Sequence, residues 1–337
     1  MTPLRVLTSH REPRSTTNPY LTMLTAALRQ TPGVEVVTFS HRAALLGRYD
    51  VVHLHWPETI LGQGGRRISG RIARWLLAAL FLVRLSLTRT SVVRTVHNVE
   101  HPADAGPLQR LLLRWFDHLT THRILLNDRT ECPGPTTTIP HGHYRDWYTS
   151  PRSPMLPGRL QYVGLVRRYK GVEGLVEAFR SVADDSLTLG IAGAASTPEL
   201  ADTITTLADS DPRVTLRFDF LSDDELVTAV TGAELVVLPY RFMHNSGTVL
   251  AALSLDRPVL APETAVNADL AAEVGPGWIH TFTGELTSAD IESALAAARR
   301  PRAANPDLGA RDWADAGHAH LAAYRLARFG AESEARA

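Results

Sequence analysis

Short runs of aliphatic and β-branched residues recur along the chain, and many are followed by a longer stretch in which apolar positions return every three or four residues. Residues 4–8, 34–39, 51–55, 92–97, 124–127 and 136–139 read as strands, with helical patterns near 20–29, 68–87 and 108–119. Strands separated by helices at this spacing build a parallel sheet covered on both faces. The pattern breaks at 150–158, which is dense in Pro, Ser and Arg and has no period, so it reads as a linker. It restarts with strands at 160–166, 187–192, 214–218, 235–239 and 259–261, and a last helical pattern spans 310–328. The expected fold is α/β, two doubly wound Rossmann-like domains at 1–150 and 158–309. A closing helix over 310–330 can pack back on the first of them.

Composition narrows the class. At 337 residues the chain exceeds what one hydrophobic core usually serves, and 44% apolar with 21% charged residues is the balance of a globular protein. Its 35 basic and 35 acidic side chains cancel, so no global field draws it to nucleic acid. Cys132 is the single cysteine, which excludes an intrachain disulfide and a multi-cysteine zinc site and fits a reducing compartment. The N-terminus runs straight into a short apolar strand without signal-peptide design, so a cytoplasmic location is expected.

Charge is uneven in one place. Between Arg66 and Arg94 there are seven arginines and no acidic residue, around the apolar run 75–83. That run is too short to span a bilayer. A basic, apolar helix suits docking at the inner face of an anionic membrane, and equally suits a core helix with arginines on its wet face.

Two segments carry candidate chemistry. In Tyr162-Val163-Gly164-Leu165-Val166-Arg167-Arg168-Tyr169-Lys170-Gly171 a glycine ends a strand, then cations precede a helix. A doubly wound sheet binds phosphate at such an edge, and an isolated basic turn with solvated side chains gives the same pattern. Leu238-Pro239-Tyr240-Arg241-Phe242-Met243-His244-Asn245-Ser246-Gly247-Thr248 leaves a strand and opens an Ala/Leu helix. Its first N–H groups can bind phosphate oxygens, while Asn245 or Ser246 caps the helix.

The pair resembles the donor-binding core of GT-B glycosyltransferases, above all the family 4 group with its Gly-Arg-(x)n-Lys-Gly and Glu-x7-Glu patterns. Thr95-Val96-His97-Asn98, Pro140-His141-Gly142, Leu175-Val176-Glu177-Ala178-Phe179 and the Trp313 helix extend the likeness over most of the chain. The resemblance implies two domains facing each other across a cleft and transfer of a hexose from a nucleotide-diphospho-sugar. It assigns donor binding to Gly164, Arg167, Arg168, Lys170, Gly193, Arg241, His244, Asn245, Ser246, Gly247 and Thr248, with Arg167 and Lys170 neutralising the leaving pyrophosphate. No cofactor or metal is expected, since cations take the metal's place. Chains with Asn-Ser-Gly here resemble a subgroup that assembles bacterial surface polysaccharides or lipid-linked sugars, which implies GDP-mannose first as donor and a lipid-linked or saccharide acceptor. Leu165 stands where the usual arginine would, and Met243 and Ala251 where the two glutamates would. Those departures keep open a small natural-product acceptor, an epimerase and a degenerate sugar-nucleotide binder.

The first half supplies the other candidates. His97 and Asn98 follow a strand end, where an imidazole can hydrogen-bond the sugar or move a proton, or simply serve the structure. His55, Trp56 and Glu58 end another strand and are assigned to the acceptor, with Glu58 the general base of an inverting enzyme. A packed Trp and a capping Glu would read the same. Asn18 and Tyr20 sit after the first polar loop and join the acceptor set, although Asn18 is also an ordinary helix-start residue.

Overall fold

The computed structural model describes residues 2–14, 16–62, 68–88, 90–97, 106–243 and 246–330. Two compact units divide the chain, Met1–Gly142 with Arg311–Ala337, and His143–Ala310. The first unit begins β1 (Leu4–Thr8), α1 (Pro19–Gln30), β2 (Val34–Val37), α2 (His41–Leu46), β3 (Val51–Leu54) and α3 (Pro57–Leu61). It continues through α4 (Ile68–Thr88), β4 (Ser91–Val96), α5 (Pro107–Leu119), β5 (Thr120–Leu125) and β6 (Thr136–Thr138). Its strands pair in parallel in the order β2-β1-β3-β4-β5-β6. From β1 the chain first moves to one side and then returns to the other, so the topological switch point lies between β1 and β3. Loops leaving the sheet diverge there and open a crevice.

The run 68–87 is helical because its apolar residues fall on a helix with two different faces. Ala78, Phe81, Leu82 and Leu85 pack into the core with Leu112, Leu113 and Phe116 of α5 and Leu7, Val52 and Leu54 of the sheet. Each such side chain contributes about 1.5–3 kcal/mol when fully buried. The opposite face exposes Ile72, Leu76, Leu80, Val83 and Leu87, and the adjoining α5 exposes Leu108 and Leu111. Not all arginines of this stretch are solvated. Arg84 turns inward, donating to the carbonyls of Ala44 and Gly47 at the end of α2 and lying 4.7 Å from the Tyr49 ring. Arg94 pairs with Asp117. No helix among the described residues is long and apolar enough to cross a membrane.

The second unit repeats the alternation with β7 (Arg159–Val163), α6 (Val172–Arg180), β8 (Thr188–Ala192), α7 (Pro198–Ala208), β9 (Val214–Arg217) and α8 (Asp223–Thr231). It then adds β10 (Leu235–Val237), α9 (Gly247–Ser254), β11 (Val259–Pro262), α10 (Ala265–Val274), β12 (Ile279–Phe282) and α11 (Ser288–Ala298). Sheet order is β12-β11-β10-β7-β8-β9, again parallel, and the switch point falls between β7 and β10. Three elements escape the sequence pattern because they are short: α2, α3 and the edge strand β12.

The stretch 150–158 is not a free linker. Ser153 N–H donates to Thr231 Oγ1 at 2.9 Å, Leu156 N–H to the Gly232 carbonyl at 3.0 Å, and Arg152 pairs with Asp256. Its prolines hold an extended segment against the second unit, and the chain passes between units at Gly142 and His143. The last helix, α12 (Trp313–Phe329), belongs to the first unit. There Tyr324 Oη and His53 Nδ1 lie 2.8 Å apart, and Ser91 Oγ donates to the Ala327 carbonyl at 3.0 Å.

Candidate functional site

In the second unit the switch point is built from backbone packed on backbone. Gly164 leaves β7 with φ +114° and Gly193 leaves β8 with φ +146°. A Cβ on Gly193 would stand 2.0 Å from the Gly164 carbonyl oxygen, so only glycine fits. After Gly164 the chain makes a 3₁₀ turn, Arg168–Lys170, and enters α6 through Gly171 at φ +65°. A Cβ there would meet the Pro239 carbonyl at 2.2 Å, and Arg241 N–H donates to the Tyr169 carbonyl at 2.9 Å. These contacts latch the cationic turn onto the exit of β10.

Lys170 and Thr248 converge over this floor. Lys170 Nζ lies 4.8 Å from the centre of the Tyr240 ring, and Tyr240 Oη is 3.4 Å from Thr248 Oγ1. Lys170 Nζ and Thr248 Oγ1 each lie 3.6 Å from the place a Gly164 Cβ would occupy. Ser246 caps α9 by accepting from Val249 N–H at 3.4 Å, and Gly247 and Thr248 form the first turn with their N–H groups at the positive end of the helix dipole. An ammonium, a hydroxyl and a helix N-terminus around a side-chain-free floor suit the oxygens of a pyrophosphate. Arg167, Arg168 and Arg241 are exposed at the edge of the same turn. His244 and Asn245 lie outside the described residues. Ala251 is buried in α9, and Met243 Sδ accepts from Asn267 Nδ2 at 3.2 Å, so neither offers a carboxylate.

The first unit is furnished with imidazoles instead. His55 Nδ1 and His97 Nε2 are 3.2 Å apart, and His97 stacks on Trp56 with ring centres 3.9 Å apart. His53 bonds Thr95 Oγ1 through Nε2 at 2.8 Å while Tyr324 holds its other nitrogen. Burial, reinforced by neighbouring imidazoles, pushes His53, His55 and His97 well below the usual histidine range. Burial also takes His141 and His320 down to about 4. His97 is therefore a neutral imidazole at pH 7, able to exchange hydrogen bonds and poorly suited to hold a proton. Tyr20 is only 3% exposed, its ring 5.1 Å from His97, 4.5 Å from His141 and 5.5 Å from Trp313, and His55 is equally buried. Both are placed inside the unit, supporting its surface from behind.

Trp56 and Glu58 are half-buried, Glu58 in the first turn of α3. Asn18 caps α1, its side chain accepting from Tyr20 N–H at 2.9 Å. Asn98 lies outside the described residues. Beside Trp56, at the β1/β3 switch point, a pocket of about 300 Å³ includes His10, Arg11, Phe39, His41 and Arg74 in its lining. None of these five was singled out from the sequence, because the strand order that gathers them is not written in any local pattern. Tyr240 was missed likewise. Among the described residues no group of three His, Cys, Asp or Glu is arranged to hold a metal, and Asp223–Glu225 open α8 with a capping box between Ser222 and Glu225.

Two parallel doubly wound sheets, one with a phosphate-suited switch point, define the GT-B class of nucleotide-sugar glycosyltransferases. Comparison with solved structures agrees: AviGT4, a glycosyltransferase involved in avilamycin A biosynthesis, superposes with TM-score 0.62 at 17% identity, covering 98% of this chain and 99% of that one. The catalytic domain of starch synthase IV from Arabidopsis thaliana does so with TM-score 0.66 at 11% identity, covering 97% and 99%. The family profile of glycosyl transferases group 1 matches residues 157–299, most of the second unit. A GDP-mannose:glycolipid 4-beta-D-mannosyltransferase of Xanthomonas campestris pv. campestris is 46% identical over 335 residues, 98% of this chain and 95% of the relative. A second of the same description from that pathovar is 45% identical over the same span. The chain belongs to the group 1 glycosyltransferases and is a hexosyltransferase.

Proposed function

We propose that this glycosyltransferase moves mannose from GDP-mannose to O4 of a sugar on a glycolipid, forming a β linkage. The chemistry named for its 46% identical relatives supports this reading, and the observation that carries the donor half is the convergence of Lys170 and Thr248 over Gly164 beside the start of α9. GDP-mannose holds its sugar in α linkage, so a β product requires inversion at C1 in a single displacement. The acceptor oxygen attacks C1 while the bond from C1 to the phosphate oxygen breaks, and the electron pair leaves with GDP. Lys170, Arg167 and the N–H groups of Gly247 and Thr248 meet the charge that develops on the diphosphate. Glu58 takes the acceptor hydroxyl proton, and neutral His97 hydrogen-bonds a sugar hydroxyl. Fixed cations serve in place of a metal, so the reaction runs in EDTA.

A glycolipid lies in a membrane, and the outer face of α4 suits docking there. Ile72, Leu76, Leu80, Val83 and Leu87 form one exposed apolar stripe in a stretch with no acidic residue, with exposed Arg71 beside it. Apolar insertion flanked by cations matches the cytoplasmic face of an anionic bilayer. The test of the donor reading is thermal shift of the purified protein with GDP, UDP, ADP, dTDP and their common sugars, in EDTA, on wild type and Lys170→Ala. Stabilisation by GDP and GDP-mannose, lost in the variant, is expected. No shift with any guanine nucleotide at millimolar concentration would overturn it.

A further inference from the structure

The geometry points to an anion-binding acceptor pocket: the cavity at the β1/β3 switch point of the first unit receives a negatively charged group, carboxylate or phosphate, of the molecule that is glycosylated. This deepens the proposed transfer reaction and rests on it for the word acceptor. Arg11 reaches the pocket from the loop after β1 and Arg74 from α4, and His41 lies between them at the start of α2. No Asp or Glu is among the residues that line it. The nearest carboxylate in sequence, Glu12, is engaged by both terminal nitrogens of Arg29 at 2.8 and 2.7 Å.

The field at His41 shows the sign of the pocket. Burial and then Arg11 and Arg74 lower its proton affinity, so it stays neutral and adds donor capacity without adding repulsion. Converging cations in a partly desolvated crevice repel one another, and a bound anion relieves that repulsion. The remaining wall is apolar, with Phe39, Ile60 and Trp56, and Trp56 is fixed from behind by His97. A volume of about 300 Å³ is at the small end of ligand clefts and accommodates one charged sugar ring or a diphosphate, not a long chain. Arginine's planar fork matches both candidate groups.

The experiment is isothermal titration of the full chain, carried in a Lys170→Ala background so that the donor loops do not capture anions. Methyl β-glucuronide, hexyl diphosphate and neutral methyl β-glucoside are the probes. One anionic probe is expected to bind at least about tenfold more tightly than the glucoside, and Arg11→Gln and Arg74→Gln each to weaken it roughly tenfold, the effect of one charge-assisted hydrogen bond. Preference for the glucuronide assigns a carboxylate-bearing sugar, and preference for the diphosphate assigns the lipid phosphate. Equal binding of all three probes, or anion binding unchanged in both variants, overturns the proposal. Should Arg74→Gln unfold, the exposed Arg11 carries the test. GDP-mannose titrated into the wild type separates the two readings, since its failure to bind would sink the mannosyl donor and leave the anion result standing.

Discussion

The two sheets are close topological relatives, yet their switch points are furnished in opposite ways. In the second unit glycines end β7 and β8, side chains withdraw, and backbone approaches backbone at distances that a methyl group would violate. In the first unit Thr8, Leu54 and Val96 end the corresponding strands and are followed by Ser9, His55 and His97, so rings fill the space that glycine leaves bare. A bare edge lets fixed N–H groups and Lys170 reach a multiply charged phosphate chain. A crowded, neutral edge makes a shaped wall for sugar. The difference teaches that a doubly wound fold determines where a ligand sits, and the residues just past each strand determine what it is.

The contrast can be broken most severely at Lys170. Lys170→Ala should lower kcat/KM for the nucleotide sugar by about 10³, roughly 4 kcal/mol of transition-state stabilisation, with the first unit untouched. Steady-state transfer kinetics check it, and a loss under fivefold would remove Lys170 from the mechanism. Gly193→Ala comes next. Its methyl would collide with the Gly164 carbonyl, so the second unit should lose about 3 kcal/mol in urea unfolding together with the GDP-induced shift, whereas an unchanged midpoint would mean that the glycine edge is slack.

Acid should strike the other side of the comparison. The buried imidazoles of the first unit have folded pKa values below the ordinary 6.5, so below that pH the unfolded chain binds more protons than the folded one. Stability is then complete above about pH 6.5 and falls as pH drops toward 4, by about 2 kcal/mol at pH 5 for each of His141 and His320. Tryptophan fluorescence of urea melts at pH 7 and pH 5 reads this, and His320→Gln should reduce the difference. Smallest in stability is the outer face of α4. Leu76→Glu with Leu80→Glu should shift unfolding by less than about 1 kcal/mol while abolishing flotation with anionic liposomes, because those side chains have no neighbour to lose.

Much of this was legible from the residues. Strand-end glycine, cation and helix start marked Lys170 and Ser246–Thr248 because each signal is local, and the βα alternation marked both sheets for the same reason. What the pattern hid was long-range. Tyr240 comes under Lys170, and Arg11 comes beside Arg74, only once strand order is known. Arg84 reads as a wet-face cation in sequence and is a cap on α2 in space. The prolines at 150–158 signal extended chain correctly, but the same signal serves a linker and a strap.

One feature of the connectivity has a genetic reading. The second unit interrupts the first, which is finished only when α12 returns with Tyr324 to bind His53 and with Trp313 to pack on Gly142 and Tyr20. A stop codon near the end of the gene therefore cripples the half that the ribosome makes first and spares the half it makes second. During synthesis the nascent first sheet must wait, with His53 lacking its Tyr324 partner, until nearly the whole message has been read.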